Sequence, residues 1–149
     1  KRQMTGVFAR AWVEPIARVL ANLGTTAAWI VHGSDGLDEI TVSGETHVAA
    51  LEDGRITTFV VDPESVGLMR HPVERLRGGD AAFNAAALRS VLEGEASAYR
   101  DIVLMNSGAA LVVAGRVATL AEGVARAAAA IDDGSARARL AALVDVSNS

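Results

Sequence analysis

The chain has no cysteine, which removes disulfides, thiol nucleophiles and zinc–thiolate sites at once. Aromatic residues are only 4% of it, so a core has to be assembled from Ala, Val, Leu and Ile, in a chain that is 50% hydrophobic overall. Lysine is almost missing as well. Lys1 is the sole example, and the other thirteen basic residues are arginines, a bias that reflects genome composition rather than recognition chemistry. No excess of positive charge exists: the net charge is -4, which argues against a general nucleic-acid binder, whose affinity rests on neutralising phosphates. A membrane-crossing run is also lacking. The longest apolar stretch, residues 102–115, is broken by Asn106, Ser107 and Gly108 and falls short of the roughly 20 residues a bilayer requires. The opening Lys1-Arg2-Gln3-Met4 is not followed by the apolar segment and cleavage site of a signal peptide. A cytoplasmic protein with no membrane or nucleic-acid partner is the expectation. That the chain starts on Lys1 rather than Met points to a true beginning elsewhere.

The 149 residues suffice for one domain with a real core. Residues 4–8 read as a short strand. Residues 12–23 follow as a helix, with Val13, Ile16, Leu20 and Leu23 at three- and four-residue spacing, Pro15 near its start and Gly24 beyond its end. Residues 27–31 form a continuous apolar run of strand length. Strand, helix, strand in that order implies a right-handed crossover and a parallel pair. Alternation then takes over, and residues 40–43, 46–51 and 55–61 read as strands. Asp53-Gly54 between the last two is a strong hairpin signal, since both central positions need positive φ. Residues 63–70 are expected to be a loop with one helical turn. Everything after Asp80 reads helical: 80–92 with Phe83, Ala87, Leu88 and Val91 on one face, and 99–115 apolar nearly all round and therefore buried. Residues 119–131 carry a Leu120, Val124, Ala127, Ile131 stripe. Gly134 then stops that helix and Ser135 caps the last one, 136–146. Two parallel strands with a small antiparallel extension make an incomplete layer, because parallel sheets normally have several strands and both faces covered.

The chemistry concentrates where the apolar run 27–31 gives way to His32-Gly33-Ser34-Asp35-Gly36-Leu37-Asp38-Glu39-Ile40. Loops at the carboxyl end of a parallel strand line the crevice where ligands bind in open α/β sheets, and Gly33 and Gly36 let the backbone turn sharply there. Asp38 and Glu39 are neighbours, and in extended backbone their side chains would point to opposite sides. They can share one ion if the chain curls, or serve two ions or two partners if it does not. Hard oxygen donors suit Mg²⁺, usually completed by water and substrate phosphates. The plainer alternative is that Asp35 makes a turn and that Asp38 and Glu39 are solvated loop charges.

That string resembles the signature of the anthranilate phosphoribosyltransferase family of tryptophan biosynthesis. The resemblance continues in order through Lys1-Arg2-Gln3-Met4-Thr5-Gly6-Val7-Phe8, Leu76-Arg77-Gly78-Gly79-Asp80-Ala81-Ala82-Phe83-Asn84-Ala85 and Met105-Asn106-Ser107-Gly108-Ala109-Ala110-Leu111. It implies an α/β fold: part of a phosphoribosyltransferase α/β domain, with a parallel strand–helix–strand unit, a small antiparallel extension and C-terminal helices. It implies transfer of phosphoribose from phosphoribosyl pyrophosphate (PRPP) to anthranilate with release of pyrophosphate. Asp38 and Glu39 would hold Mg²⁺, two ions by this reading, and the complete enzyme would be a homodimer. The family's Gly-Thr-Gly-Gly-Asp phosphate loop, its Lys-His-Gly-Asn segment and its anthranilate-binding arginine have no counterpart here. Residues 1–149 are therefore expected to be the C-terminal portion of one α/β catalytic domain. The N-terminal helical domain and the first strands of the α/β domain would be missing, and the segment alone inactive. A related nucleoside phosphorylase-like enzyme and a non-catalytic binding or assembly module are the alternatives.

The remaining candidates have plainer readings. His32 is a loop-orienting residue at a strand end. His47 and His71 lack a second ligand at zinc spacing. No nucleophile-elbow pattern surrounds Ser34, Ser43 or Ser107. Trp12 and Trp29 read as packing residues, and Arg126, Arg137 and Arg139 as a solvated face. Asn106 and Ser107 are expected to bond to nearby backbone within their helix. Arg77-Gly78-Gly79-Asp80 is loop-to-helix punctuation, since Asp80 at a helix start would repel a phosphate. No catalytic residue is assigned in this segment.

Overall fold

Four strands and five helices account for most of the chain in a computed structural model that describes residues 1–149. Strands β1 (Arg2–Gly6), β2 (Ala27–Gly33), β3 (Thr46–Glu52) and β4 (Arg55–Val61) lie side by side in that order. β1 and β2 are parallel, with Gly6 opposite Val31, and the β2–β3 and β3–β4 pairs are antiparallel. Helix α1 (Val13–Asn22) connects the parallel pair, and α2 (Ala81–Leu92), α3 (Ala98–Val113), α4 (Leu120–Asp132) and α5 (Ser135–Ser147) follow the last strand. The parallel strand–helix–strand unit, the antiparallel extension and the late helices all form as their periodicities predict. No helix is long and apolar enough to cross a membrane.

Side-chain alternation divides the sheet between two cores. Ala28 and Ile30 of β2 and Ala49 and Leu51 of β3 turn to α1, where Val13 and Ala17 meet them. Val31, Val48 and Val61 turn to the other face and join Leu104, Met105, Ala109, Val124 and Ile131 of α3 and α4. β2 is covered on both faces, which is why it reads as an unbroken apolar run rather than an alternating one. Fully burying each such aliphatic side chain contributes roughly 1.5–3 kcal/mol, so the larger core supplies most of the stabilisation. Two glycines let α3 and α4 touch. A Cβ on Gly108 would sit 2.8 Å from the Val124 nitrogen, and one on Gly123 would strike the Gly108 carbonyl.

The helix starts follow local chemistry. Asp80 accepts the Phe83 N–H at 2.8 Å, Ser97 accepts the Arg100 N–H at 3.1 Å, and Thr119 and Glu122 form a reciprocal capping box. Each such cap is worth about 1 kcal/mol. Asp53 and Gly54 both take positive φ, 46° and 83°, in the tight turn between β3 and β4.

Five expectations need correction. The first strand occupies Arg2–Gly6 rather than 4–8, because the chain leaves the sheet after Gly6 and Phe8 is exposed. Residues 40–43 are not a strand: Ile40, Thr41 and Val42 are buried, but Ile40 and Thr41 bond to side chains and Val42 to the His71 backbone instead of to a neighbouring strand. The face of α2 is not a core face. Only Val91 is buried, while Phe83 and Leu88 stay half exposed, since only the last turn of that helix reaches the core. Nor is α3 buried all round, because Val103 and Ala110 face solvent. Gly134, in the left-handed region, caps α5, and Ser135 is already its first residue; the Asp133 carboxylate accepts the Ser135 N–H at 2.8 Å.

Candidate metal centre

Residues 34–45 connect β2 to β3, and their base is tied by the Ser34 N–H to the Glu45 carbonyl at 2.8 Å. Within the loop the Gly33 N–H donates to the Leu37 carbonyl at 2.9 Å and the Gly36 N–H to the Gly33 carbonyl at 3.0 Å. Asp35 organises the turn. One carboxylate oxygen accepts the Leu37 N–H at 3.1 Å, and the other accepts the hydroxyls of Thr41 at 2.5 Å and Ser43 at 2.6 Å. Burial by itself would push this carboxyl up, but the hydroxyls of Ser43 and Thr41 and the backbone donors outweigh it and hold it below the usual carboxylate range. A carboxylate so fully engaged is a structural group. Three carboxylates in sequence reduce to two available ones.

Asp38 is exposed and Glu39 half-buried. Neither takes part in any of the five ion pairs. The only side-chain contact to either is the Asn106 amide nitrogen, 3.5 Å from a Glu39 oxygen. Burial, first, and then the negative charges of Asp38 and Asp35 raise the Glu39 carboxyl above its ordinary value. Two adjacent carboxylates without a cationic partner, one of them destabilised by its neighbours, are the donor set a hard divalent cation fits. No cluster of three or more His, Asp or Glu side chains forms a ready-made cage, so water or a ligand oxygen has to complete the coordination. None of the five main pockets is lined by Asp38 or Glu39.

Two elements distant in sequence hold this loop. β1 ends beneath it, and a Cβ on Gly6 would coincide with the Asp38 carbonyl oxygen. From α3, Asn106 accepts the Ile40 N–H at 2.9 Å and donates to the Ile40 carbonyl at 2.8 Å. The Thr41 N–H reaches the Thr46 hydroxyl at 3.0 Å, and the Val42 carbonyl accepts the His71 N–H at 2.8 Å. Sequence reasoning missed both long-range roles. A glycine at a strand end is a signal of close backbone approach, and it could have identified Gly6. Nothing local could have paired Asn106 with Ile40.

The other candidates settle plainly. His32 Nδ1 bonds the Val7 carbonyl at 2.8 Å, an orienting contact at the strand end. His71 Nε2 bonds Asp101 at 2.7 Å, a pairing its sequence position did not suggest. His47 faces His32 across the β2–β3 ladder; burial, helped by Arg10 and His32, lowers its imidazole below the ordinary value. Ser43 is engaged with Asp35, and no serine pairs with a histidine ring. Trp29 packs edge-on against Phe59 with ring centres 5.2 Å apart, while Trp12 is about half exposed. Asp80 and Asn84 tie up the Gly78-Gly79 segment, the Gly79 N–H reaching Asn84 at 2.9 Å, as helix-start punctuation.

Residues 1–137 match the family described as glycosyl transferase family, a/b domain. The chain belongs to this family. It is 63% identical over 148 residues to the anthranilate phosphoribosyltransferase of Rhodopseudomonas palustris strain BisA53, covering 99% of this chain and 44% of that one. It is also 63% identical over 140 residues to the enzyme of that name from Azorhizobium caulinodans, covering 94% and 41%. The chain thus spans under half the length of these relatives. Among solved structures, anthranilate phosphoribosyltransferase from Thermus thermophilus superposes with a TM-score of 0.80 at 38% identity, over 89% of this chain and 39% of the other. The Saccharomyces cerevisiae enzyme in complex with PRPP and Mg gives 0.88 at 25% identity, over 97% and 42%.

Proposed function

We propose that this glycosyl transferase family chain carries the Mg²⁺-holding part of an anthranilate phosphoribosyltransferase, with Asp38 and Glu39 as the metal-holding residues. The observation that carries the reading is the pair of adjacent carboxylates, free of cationic partners and pinned at the carboxyl end of β2. Relatives named for this activity, and a similar structure that holds PRPP and Mg, support it. In the complete protein the ribose C1–O bond breaks with its electrons leaving on pyrophosphate. The anthranilate amino nitrogen bonds C1 and gives up one proton. Mg²⁺, when bound, offsets the negative charge gathering on the departing pyrophosphate. Asp38 and Glu39 lie in bends rather than in extended backbone, which lets neighbouring carboxylates turn toward a common ion; a second ion would rest on the pyrophosphate oxygens of PRPP as well. Asp35 keeps their loop in shape, and Gly6 lets β1 run close beneath it. Because the family's phosphate loop and anthranilate-binding arginine have no counterpart here, the enclosure of PRPP and the binding of anthranilate are assigned to residues beyond this segment. Assembly as a homodimer and a cytoplasmic location belong to the same reading.

The test is an Asp38→Asn, Glu39→Gln double variant of the complete protein, followed by anthranilate fluorescence while Mg²⁺ is titrated. Turnover should fall on the order of 100-fold or more. Wild-type-like turnover at limiting Mg²⁺ would remove the metal assignment. The 149-residue chain by itself should not consume anthranilate with PRPP, and robust consumption would show that it contains the whole site.

A further inference from the structure

An asparagine in the middle of a helix usually points to solvent or bonds back to its own preceding turn. Asn106 does the second, its amide nitrogen donating to the Ile102 carbonyl at 2.9 Å. It also does something a helix does not require. The same side chain takes the N–H of Ile40 at 2.9 Å and gives to the carbonyl of Ile40 at 2.8 Å. One amide thus satisfies both backbone groups of a single fully buried residue, as a neighbouring strand would. Ile40 directly follows Glu39. Its N–H belongs to the peptide plane that carries the Glu39 carbonyl, so the bond from α3 sets where the Glu39 backbone lies. The Asn106 nitrogen is also 3.5 Å from a Glu39 carboxylate oxygen, beyond a good hydrogen bond. The Asp38 carbonyl lies against Gly6. The pair is thus held by both β1 and α3.

We infer that Asn106 is a positioning residue for Glu39, acting through the Ile40 peptide to hold the carboxylate where a divalent cation can use it. This rests on the metal reading of Asp38 and Glu39. If Asn106 merely satisfied buried backbone groups, its loss would lower stability and leave metal affinity alone. Residues that orient metal ligands typically change affinity by about 10–100-fold when removed.

The probe is Mn²⁺ with pyrophosphate, free Mn²⁺ being read by electron paramagnetic resonance on the purified complete protein well below its unfolding temperature. Asn106→Ala should weaken Mn²⁺ binding about tenfold. Asn106→Ser retains a hydroxyl for the Ile102 carbonyl but cannot span to Ile40, and should weaken binding equally. Ile102→Val thins the same packing face and should lower the melting temperature without changing Mn²⁺ affinity. A further measurement needs no variant: Mg²⁺ with pyrophosphate should slow hydrogen exchange at the wild-type Ile40 amide, because coupling between clamp and site is reciprocal. Variants that bind Mn²⁺ within about twofold of wild type overturn the inference, being well short of the expected loss, as does an Ile102→Val loss matching that of Asn106→Ala. Unchanged Ile40 exchange on Mg²⁺ addition overturns it even if both Asn106 variants unfold. A wild-type protein that binds no Mn²⁺ overturns the metal reading and this inference together, and so is distinguishable from failure of the positioning step alone.

Discussion

Two connections join β2, β3 and β4, and they are built in opposite ways. The β3–β4 turn is Asp53-Gly54, where positive φ at both residues reverses the chain locally. The β2–β3 connection spans residues 34–45 and leans on groups from β1, α3 and the His71 segment. A turn that only has to reverse a ribbon uses the shortest route its backbone allows. A connection that carries unpartnered carboxylates cannot rely on local preference, since their mutual repulsion works against a fixed geometry. It is stabilised from outside as well as by the Asp35 network within it.

The largest effect on this contrast is expected from Gly6→Ala. The new Cβ would collide with the Asp38 carbonyl, so urea denaturation should show a loss of roughly 3 kcal/mol, together with loss of Mn²⁺ binding. A fully stable, Mn²⁺-binding variant would show that the loop does not depend on β1. Next in size is Asp35→Asn, which cannot accept all three donors and should cost about 1–2 kcal/mol at neutral pH. The Asp35 carboxyl is held low, so its stabilisation is present above the unfolded value near pH 4 and disappears as pH falls through the lower folded value. Wild type and variant should therefore converge on acidification, and parallel pH–stability curves would contradict the network.

Gly54→Ala tests the other connection. An alanine at φ 83° should cost about 1 kcal/mol while leaving Mn²⁺ affinity untouched, because that turn has no part in the loop. The smallest effect has the opposite sign. Glu39 is raised by burial and by Asp38 and Asp35, so its ionised form opposes folding once pH exceeds the unfolded value, and the cost is complete above the folded one. Without metal at pH 7, Glu39→Gln should melt slightly higher, by up to about 0.5 kcal/mol. A lower melting point would mean that the carboxylate is engaged in the fold after all.

Much of this was legible in the residues. The separate elements of the β1–α1–β2 unit, the hairpin turn and the cap at Asp80 depend on contacts within a few positions, where periodicity and turn chemistry act directly. The alternating look of residues 40–43 misled, because burial and strand pairing give one pattern while only partners reveal which applies. The stripe on α2 misled for a related reason: an apolar face shows that a helix could be covered, not that this chain covers it. Asp35, Asp38 and Glu39 were visible as a cluster, and the family resemblance, rather than spacing, singled out Asp38 and Glu39 and left Asp35 as a turn residue. Its three donors became visible only once the loop was folded.

Residue order alone was enough for the local elements and, through the ordered resemblance along the chain, for the family and the two carboxylates in question. How those carboxylates are held came from packing. Asn106 lies 66 residues from Ile40 and Gly6 lies on another strand, and no periodicity encodes a contact between elements that meet only when the sheet and helices pack. The hydrophobic burial that joins α3 to the sheet is non-directional. The hydrogen bonds it permits are directional, and they turn an acidic loop into a placed pair of carboxylates.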